Sequence, residues 1–131
     1  MTIERINPSG LPPAVGYSHV VATSRTRTIY IAGQVGVDET GAVVGNDHRS
    51  QAERALRNLL VALEAAGATI EDVVKLNFLV VDVGPEVMEA IFAAAFAVFG
   101  DQLPSPAATL YGVQALAEPD HLFEIDAVAM L

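Results

Sequence analysis

At 131 residues the chain has room for one domain with a real core, and 52% hydrophobic content with a mean hydropathy of +0.41 is too apolar for disorder. A net charge of −9 argues against nucleic acid, whose phosphates call for clustered Lys and Arg. The absence of cysteine removes disulfide and thiol chemistry, and no apolar run reaches the roughly 18 residues of a membrane span.

The opening "MTIERINPSG" has no basic stretch followed by an apolar one, so no secretory signal is visible and a cytoplasmic protein is the simplest expectation. "NPSGLPPAVG" (7–16) reads as an irregular lead-in. "YSHVVATS" and "TRTIYIAGQVGV" have the β-branched and aromatic content of strands, and "DETGAVVG" reads as a hairpin-like excursion with "TG" at its tip. From Asp47 to Ala66 the period becomes helical: Ala52, Ala55, Leu56, Leu59, Leu63 and Ala66 share a face, with Asp47 as N-cap and Gly67 just past the end. "EDVVKLNFLVV" (71–81) reads as a strand. Pro85 then suits the first turn of a second helix, which stops at Gly100. That helix is apolar over most of its circumference, which predicts burial on more than one side.

"AATLYGVQAL" and "HLFEIDAVAM" close the chain as strands joined by "AEPD". In the last of these, alternation puts Phe123, Ile125, Ala127 and Ala129 on one face and Glu124 and Asp126 on the other. Burying a carboxylate is costly unless it is paired, so these two either face water or line a site. The element order is that of a single α+β domain over 1–131, with no linker or low-complexity tract. Charge is unevenly spread. All seven basic residues lie within the first 75 positions, whereas Leu76–Leu131 holds eight acids and no Lys or Arg. Any cation facing the C-terminal carboxylates must come from the N-terminal half or from another subunit. The histidines (His19, His48, His121) are scattered without metal-ligand spacing.

Four pieces in order, "GYSH" (16–19), "IAGQVGVDETGAVVG" (31–45), "QAERALRNLLVALEAAGATIEDVVKLNFLVVD" (51–82) and "EIDAVA" (124–129), resemble the RidA/YjgF family of enamine/imine deaminases over nearly the whole chain. The resemblance implies a chorismate-mutase-like α+β fold, a mixed sheet of about six strands with two helices packed on one face. It also implies a homotrimer with clefts between subunits and no metal or organic cofactor. An uncovered sheet face with apolar residues independently asks for a partner.

Deaminating members of that family hydrolyse a short-lived enamine or imine to a keto acid and ammonia. By resemblance, Glu124 takes the acidic water-activating position, and Asp126 a second acidic position that is usually structural. Tyr17 takes the cleft tyrosine position, although a partly buried core tyrosine explains that residue as well. Gly33 and Gln34 fall on the S-G-Q turn near the cleft, with Ala32 in place of the serine. The main departure is in "SPAATLYGV" (105–113). Where deaminating members read P-A-R-S/T, with the arginine pairing to the substrate carboxylate, this chain has Pro106, Ala107, Ala108 and Thr109. The stretch "AIFAAAF" of the second helix also lacks the Asn and Tyr that some relatives carry. Loss of a desolvated arginine–carboxylate pair costs roughly 2–5 kcal/mol. The expected ligand is therefore neutral, cationic, or larger and more apolar than a small keto-acid imine. Two readings follow: a C–N hydrolase on such a substrate, with Ala108 and Thr109 at its binding wall, or a non-catalytic ligand-binding trimer on the same scaffold.

Overall fold

The two helices are set by their ends. Asp47 caps α1 (His48–Ala65), its carboxylate accepting from the Ser50 N–H at 2.7 Å, and Gly67 takes the left-handed conformation just beyond the last turn (φ 77°). Pro85 opens α2 (Pro85–Phe99), and Gly100 closes it at φ 62°. The computed structural model describes residues 2–131.

Six strands accompany them: β1 (Ile3–Ile6), β2 (Val20–Thr23), β3 (Thr28–Val35), β4 (Val73–Val81), β5 (Ala107–Val113) and β6 (Phe123–Met130). A four-stranded mixed ladder runs β3-β6-β4-β5, and β1 pairs antiparallel with β2 in a separate two-stranded ladder. The parallel β4–β5 pair needs a crossover, which α2 supplies. The remaining pairs of the ladder are antiparallel. The expected α+β fold of six strands with both helices on one sheet face is therefore found.

Strand β6 lies at the centre of the ladder and its side chains alternate as expected. Phe123, Ile125, Ala127 and Ala129 are buried, and Glu124, Asp126, Val128 and Met130 stand half-buried on the opposite face. The buried row packs with Leu56, Leu59 and Leu63 of α1 and with Val73 and Val80 of β4. Each such side chain taken from water contributes about 1.5–3 kcal/mol, so the helix-side face holds the fold together.

Two expectations need correction. The N-terminal residues assigned to no element include β1, whose Ile3, Glu4, Arg5 and Ile6 show no alternation and form a strand by pairing with β2. The second helix is not buried on several sides. Within one chain only Ile91 and Ala94 are fully buried, while Phe92 and Phe96 are 60% and 63% exposed. One face of the helix packs on α1, and the side that carries Phe92 and Phe96 is left largely open.

Candidate functional site

The open face of the sheet carries the Glu124 carboxylate. By register Glu124 lies beside Leu79 of β4 and Val35 of β3. The β3–β6 register shifts between Ile31 and Gln34, and this bulge brings Gly33 directly under the glutamate. A β-carbon at position 33 would overlap the Glu124 carboxylate and come within 3.0 Å of its Cγ. The backbone of Gly33 is not left-handed, so what glycine provides here is room: a side chain at this position would have to push the Glu124 carboxylate aside. The Gln34 side-chain amide turns back and donates to the Ala32 carbonyl at 3.1 Å.

Three other polar side chains on this face hydrogen-bond to one another or to Asp126. Asn77 donates to the Asp126 carboxylate at 2.9 Å, and Lys75 Nζ donates to the Thr109 hydroxyl at 2.7 Å. Among the described residues Glu124 belongs to none of the ion pairs, which join Arg5 to Glu71, Arg25 to Asp72 and Arg54 to Glu39. Asp126 is thus a fixed, hydrogen-bonded carboxylate, and Glu124 is one that no cation in the described chain restrains.

On the helix side, a cavity of about 340 Å³ opens between α2, β5 and the loop around Tyr17. Its walls include Leu59, Leu76, Phe92, Phe99 and Ala108. Ala108 faces inward because it pairs with Leu76, a core residue. The position where the resembling family has its arginine is therefore a methyl group on an apolar wall, and no lining residue is charged. Tyr17 is held at the mouth by its neighbour. Buried Ser18 donates its hydroxyl to the Ser105 carbonyl at 2.6 Å and its N–H to the Pro106 carbonyl at 3.0 Å, stapling the loop to the start of β5. The Tyr17 and His19 rings meet edge to face at 5.3 Å, and His19 Nε2 lies 2.7 Å from the Pro12 carbonyl.

The residues singled out from sequence therefore fall into two groups on opposite faces of one sheet. Glu124, Gly33 and Gln34 gather at the β3 bulge, and Tyr17 and Ala108 border the cavity. Thr109 borders the cavity as well, but its hydroxyl is engaged by Lys75 on the open face.

Sequence reasoning missed the Ser18 staple and the α2 side chains at the cavity. Met88, Phe92 and Phe99 line it, and their spacing of four and seven is the signal that would have grouped them. It also missed Gln51, only 1% exposed, whose amide donates to the Gly45 and Asp120 carbonyls and accepts from the Leu122 N–H, tying the loops before α1 and β6 together. Among the described residues no three His, Asp or Glu side chains are grouped so as to hold a metal, and no helix is long and apolar enough to cross a membrane.

Comparison with known proteins gives one consistent result. A family model described as Endoribonuclease L-PSP matches residues 8–131. The chain is 34% identical to a human 2-iminobutanoate/2-iminopropanoate deaminase, covering 95% of this chain and 88% of that protein. Among solved structures, a Rid-family protein of unknown function from Yersinia pestis, YyfB, is similar at 41% identity and a TM-score of 0.90, with full coverage of both chains. RidA from the Antarctic bacterium Psychrobacter sp. PAMC 21119 is similar at 31% identity and a TM-score of 0.70, covering 98% of this chain and 99% of that one.

Proposed function

Because the chain belongs to the RidA/YjgF family, the one described as Endoribonuclease L-PSP, we propose that it hydrolyses an imine or enamine in a cleft completed between subunits of a homotrimer. The observation that carries this reading is the split just described. Glu124 stands on the opposite face of the sheet from the cavity and lines no part of it, whereas a second copy would bring its carboxylate to the first copy's cavity mouth. Two features of the open face support a partner there. Tyr30 is 80% exposed, and Asn77 Oδ1 is buried without a hydrogen-bond partner among the described residues.

In the reaction, water adds to the C=N carbon to give a carbinolamine, which collapses to a carbonyl compound and ammonia. Glu124 accepts a proton from the attacking water and returns one to the departing nitrogen, and Tyr17 bounds the pocket. Gly33 leaves room for the carboxylate and exposes backbone at the bulge, and Gln34 follows it in the same turn. The relatives named 2-iminobutanoate/2-iminopropanoate deaminase act, by that name, on small carboxylate-bearing imines. With Ala108 at the wall and no charged lining residue, this chain's substrate is a different imine. Ribonuclease activity, suggested by the family's description, fits poorly with a net charge of −9 and a cavity without cations. The missing cation also favours a second reading, a ligand-binding trimer without turnover in the same cleft.

The test is ammonia release from imines generated in situ, with complementation between two inactive variants. Trimers mixed from Glu124→Gln copies and cavity-filling Ala95→Phe copies should recover part of the activity, since some clefts then combine an intact carboxylate with an intact cavity. No recovery from demonstrably mixed trimers means that the site lies within one chain. No turnover of any imine leaves the ligand-binding reading.

A further inference from the structure

The cavity walls specify what enters them. We propose that the ligand's buried part is an uncharged arylalkyl group, and that the substrate is an imine of the type Ar–(CH2)n–CH=NH carrying no carboxylate. This deepens the reading above and rests on it for the reaction, though not for the binding.

Size comes first. A cavity of about 150 Å³ holds benzene, so one of about 340 Å³ takes an aromatic ring with a short carbon arm. A three- or four-carbon keto-acid imine would leave most of it unfilled.

Charge comes second. None of the lining residues is ionisable except Tyr17. The nearest cation along β4, Lys75, belongs to the open face, where Thr109 holds it. No Lys or Arg follows it in sequence. A carboxylate drawn into this space would lose its water and find no partner.

Shape comes third. Phe92 and Phe99 of α2 and Tyr17 of the loop put aromatic rings in the lining, and Met88 adds a polarisable sulfur. These are the groups that favour an aromatic guest over an aliphatic one of equal area. With the ring inside, the C=N end is left at the mouth beside Tyr17, where the neighbouring copy's Glu124 would act. Hydrolysis then balances as Ar–(CH2)n–CH=NH + H2O → Ar–(CH2)n–CHO + NH3. The class of reaction that supplies such an imine is two-electron oxidation of a primary arylalkylamine by an amine-oxidising enzyme using its own acceptor. The aldehyde product calls for a following oxidation or reduction.

The binding test uses a matched pair, phenylacetamide and phenylacetate, titrated into the wild-type protein by calorimetry. The amide should bind at least about tenfold more tightly, a difference of about 1.4 kcal/mol. Ala108→Arg should invert that order, and Ala95→Phe should abolish binding of both. If Ala95→Phe fails to fold by circular dichroism, the inversion in Ala108→Arg decides. Equal or tighter phenylacetate binding in the wild type overturns the proposal, as does a wild type that binds neither at millimolar concentration. So does a folded Ala95→Phe protein that still binds the amide. Ammonia release separates this idea from the deaminase reading. Amide binding without turnover of the imine made from oxidised phenylethylamine supports the ligand class and removes the deaminase. Turnover confined to carboxylate-bearing imines keeps the deaminase and removes the ligand class.

Discussion

One strand face and its reverse divide a single sheet between an apolar core and a surface that carries carboxylates. On the helix side, β6 contributes Phe123 and Ile125 to a dry core, and the sheet's β5 margin opens into an apolar cavity with Ala108 on its wall. On the open side, the same strand contributes Glu124 and Asp126, one unpaired over a glycine and the other bonded to Asn77. The cavity has shape without charge, and the bulge has charge without enclosure. Neither is a complete site, which is why assembly carries the functional proposal.

The largest expected effect separates the two carboxylates. Glu124→Gln keeps size and hydrogen bonding but removes proton transfer, and turnover should fall by roughly 10²–10⁴-fold with folding and assembly unchanged. Asp126→Asn should leave turnover within a few-fold and lower the melting temperature instead, because its partner Asn77 is then matched with a poorer acceptor. Equal, mild effects from both would reduce the open face to a solvated strand surface. A light-scattering mass of a monomer at micromolar concentration would remove the shared cleft altogether.

The next effect crosses the comparison by adding charge to the apolar side. Ala108→Arg places a guanidinium on the cavity wall, and small carboxylate-bearing substrates such as the enamine 2-aminoacrylate should gain at least about thirtyfold in kcat/KM, the lower end of the range for a desolvated charge pair. If the wild type already turns over 2-aminoacrylate as a typical family deaminase does, a cation from a neighbouring subunit is already supplying the missing charge.

A smaller effect tests how the mouth is built. Ser18→Ala removes a 2.6 Å hydrogen bond to the Ser105 carbonyl in a buried setting. It should cost about 1–3 kcal/mol and raise KM through a loosened Tyr17, with kcat little changed. A fall in kcat alone would mean that Tyr17 takes part in the chemical step and does more than border the pocket.

These contrasts were unequally legible in the sequence. The helices could be read from Asp47, Pro85 and Gly100 because caps act locally, and the faces of β6 from a strict period of two. The two-sided burial assigned to α2 failed because hydrophobic periodicity reports which side chains want cover, not whether the same chain supplies it; Phe92 and Phe96 are left for something else. Strand β1 was hidden because four residues pair only with a segment about 17 positions away. Glu124 could be placed on a face, but its seat over Gly33 depends on a bulge that no local pattern announces. The cavity depends on side chains from the N-terminal loop, both helices, β4 and β5, and residues so distant in sequence are assembled only by the fold.

A third carboxylate, remote from both regions, calibrates the first two. Burial acts to raise the Asp72 carboxyl, but hydrogen bonds from Thr69 and Arg25 and the guanidinium charge outweigh it and hold it below its ordinary value. The Arg25 guanidinium also donates to the Met130 carbonyl at 3.0 Å, so the pair ties the β2–β3 turn to the end of β6. A carboxyl depressed in the folded state stabilises the fold at pH values above its unfolded pKa, near 4. That contribution is lost as pH falls through the lower folded value. Asp72→Asn should therefore cost about 1 kcal/mol at neutral pH, at the upper end for a partly exposed ion pair, and flatten the loss of stability below about pH 4. Turnover should not change. An Asp72→Asn protein with wild-type stability at pH 7 and an unaltered acid limb would show that the Arg25 pair contributes nothing measurable. A loss of turnover would instead mean that the far end of β6 is mechanically coupled to Glu124, and the separation between fold-holding and chemical carboxylates would fail.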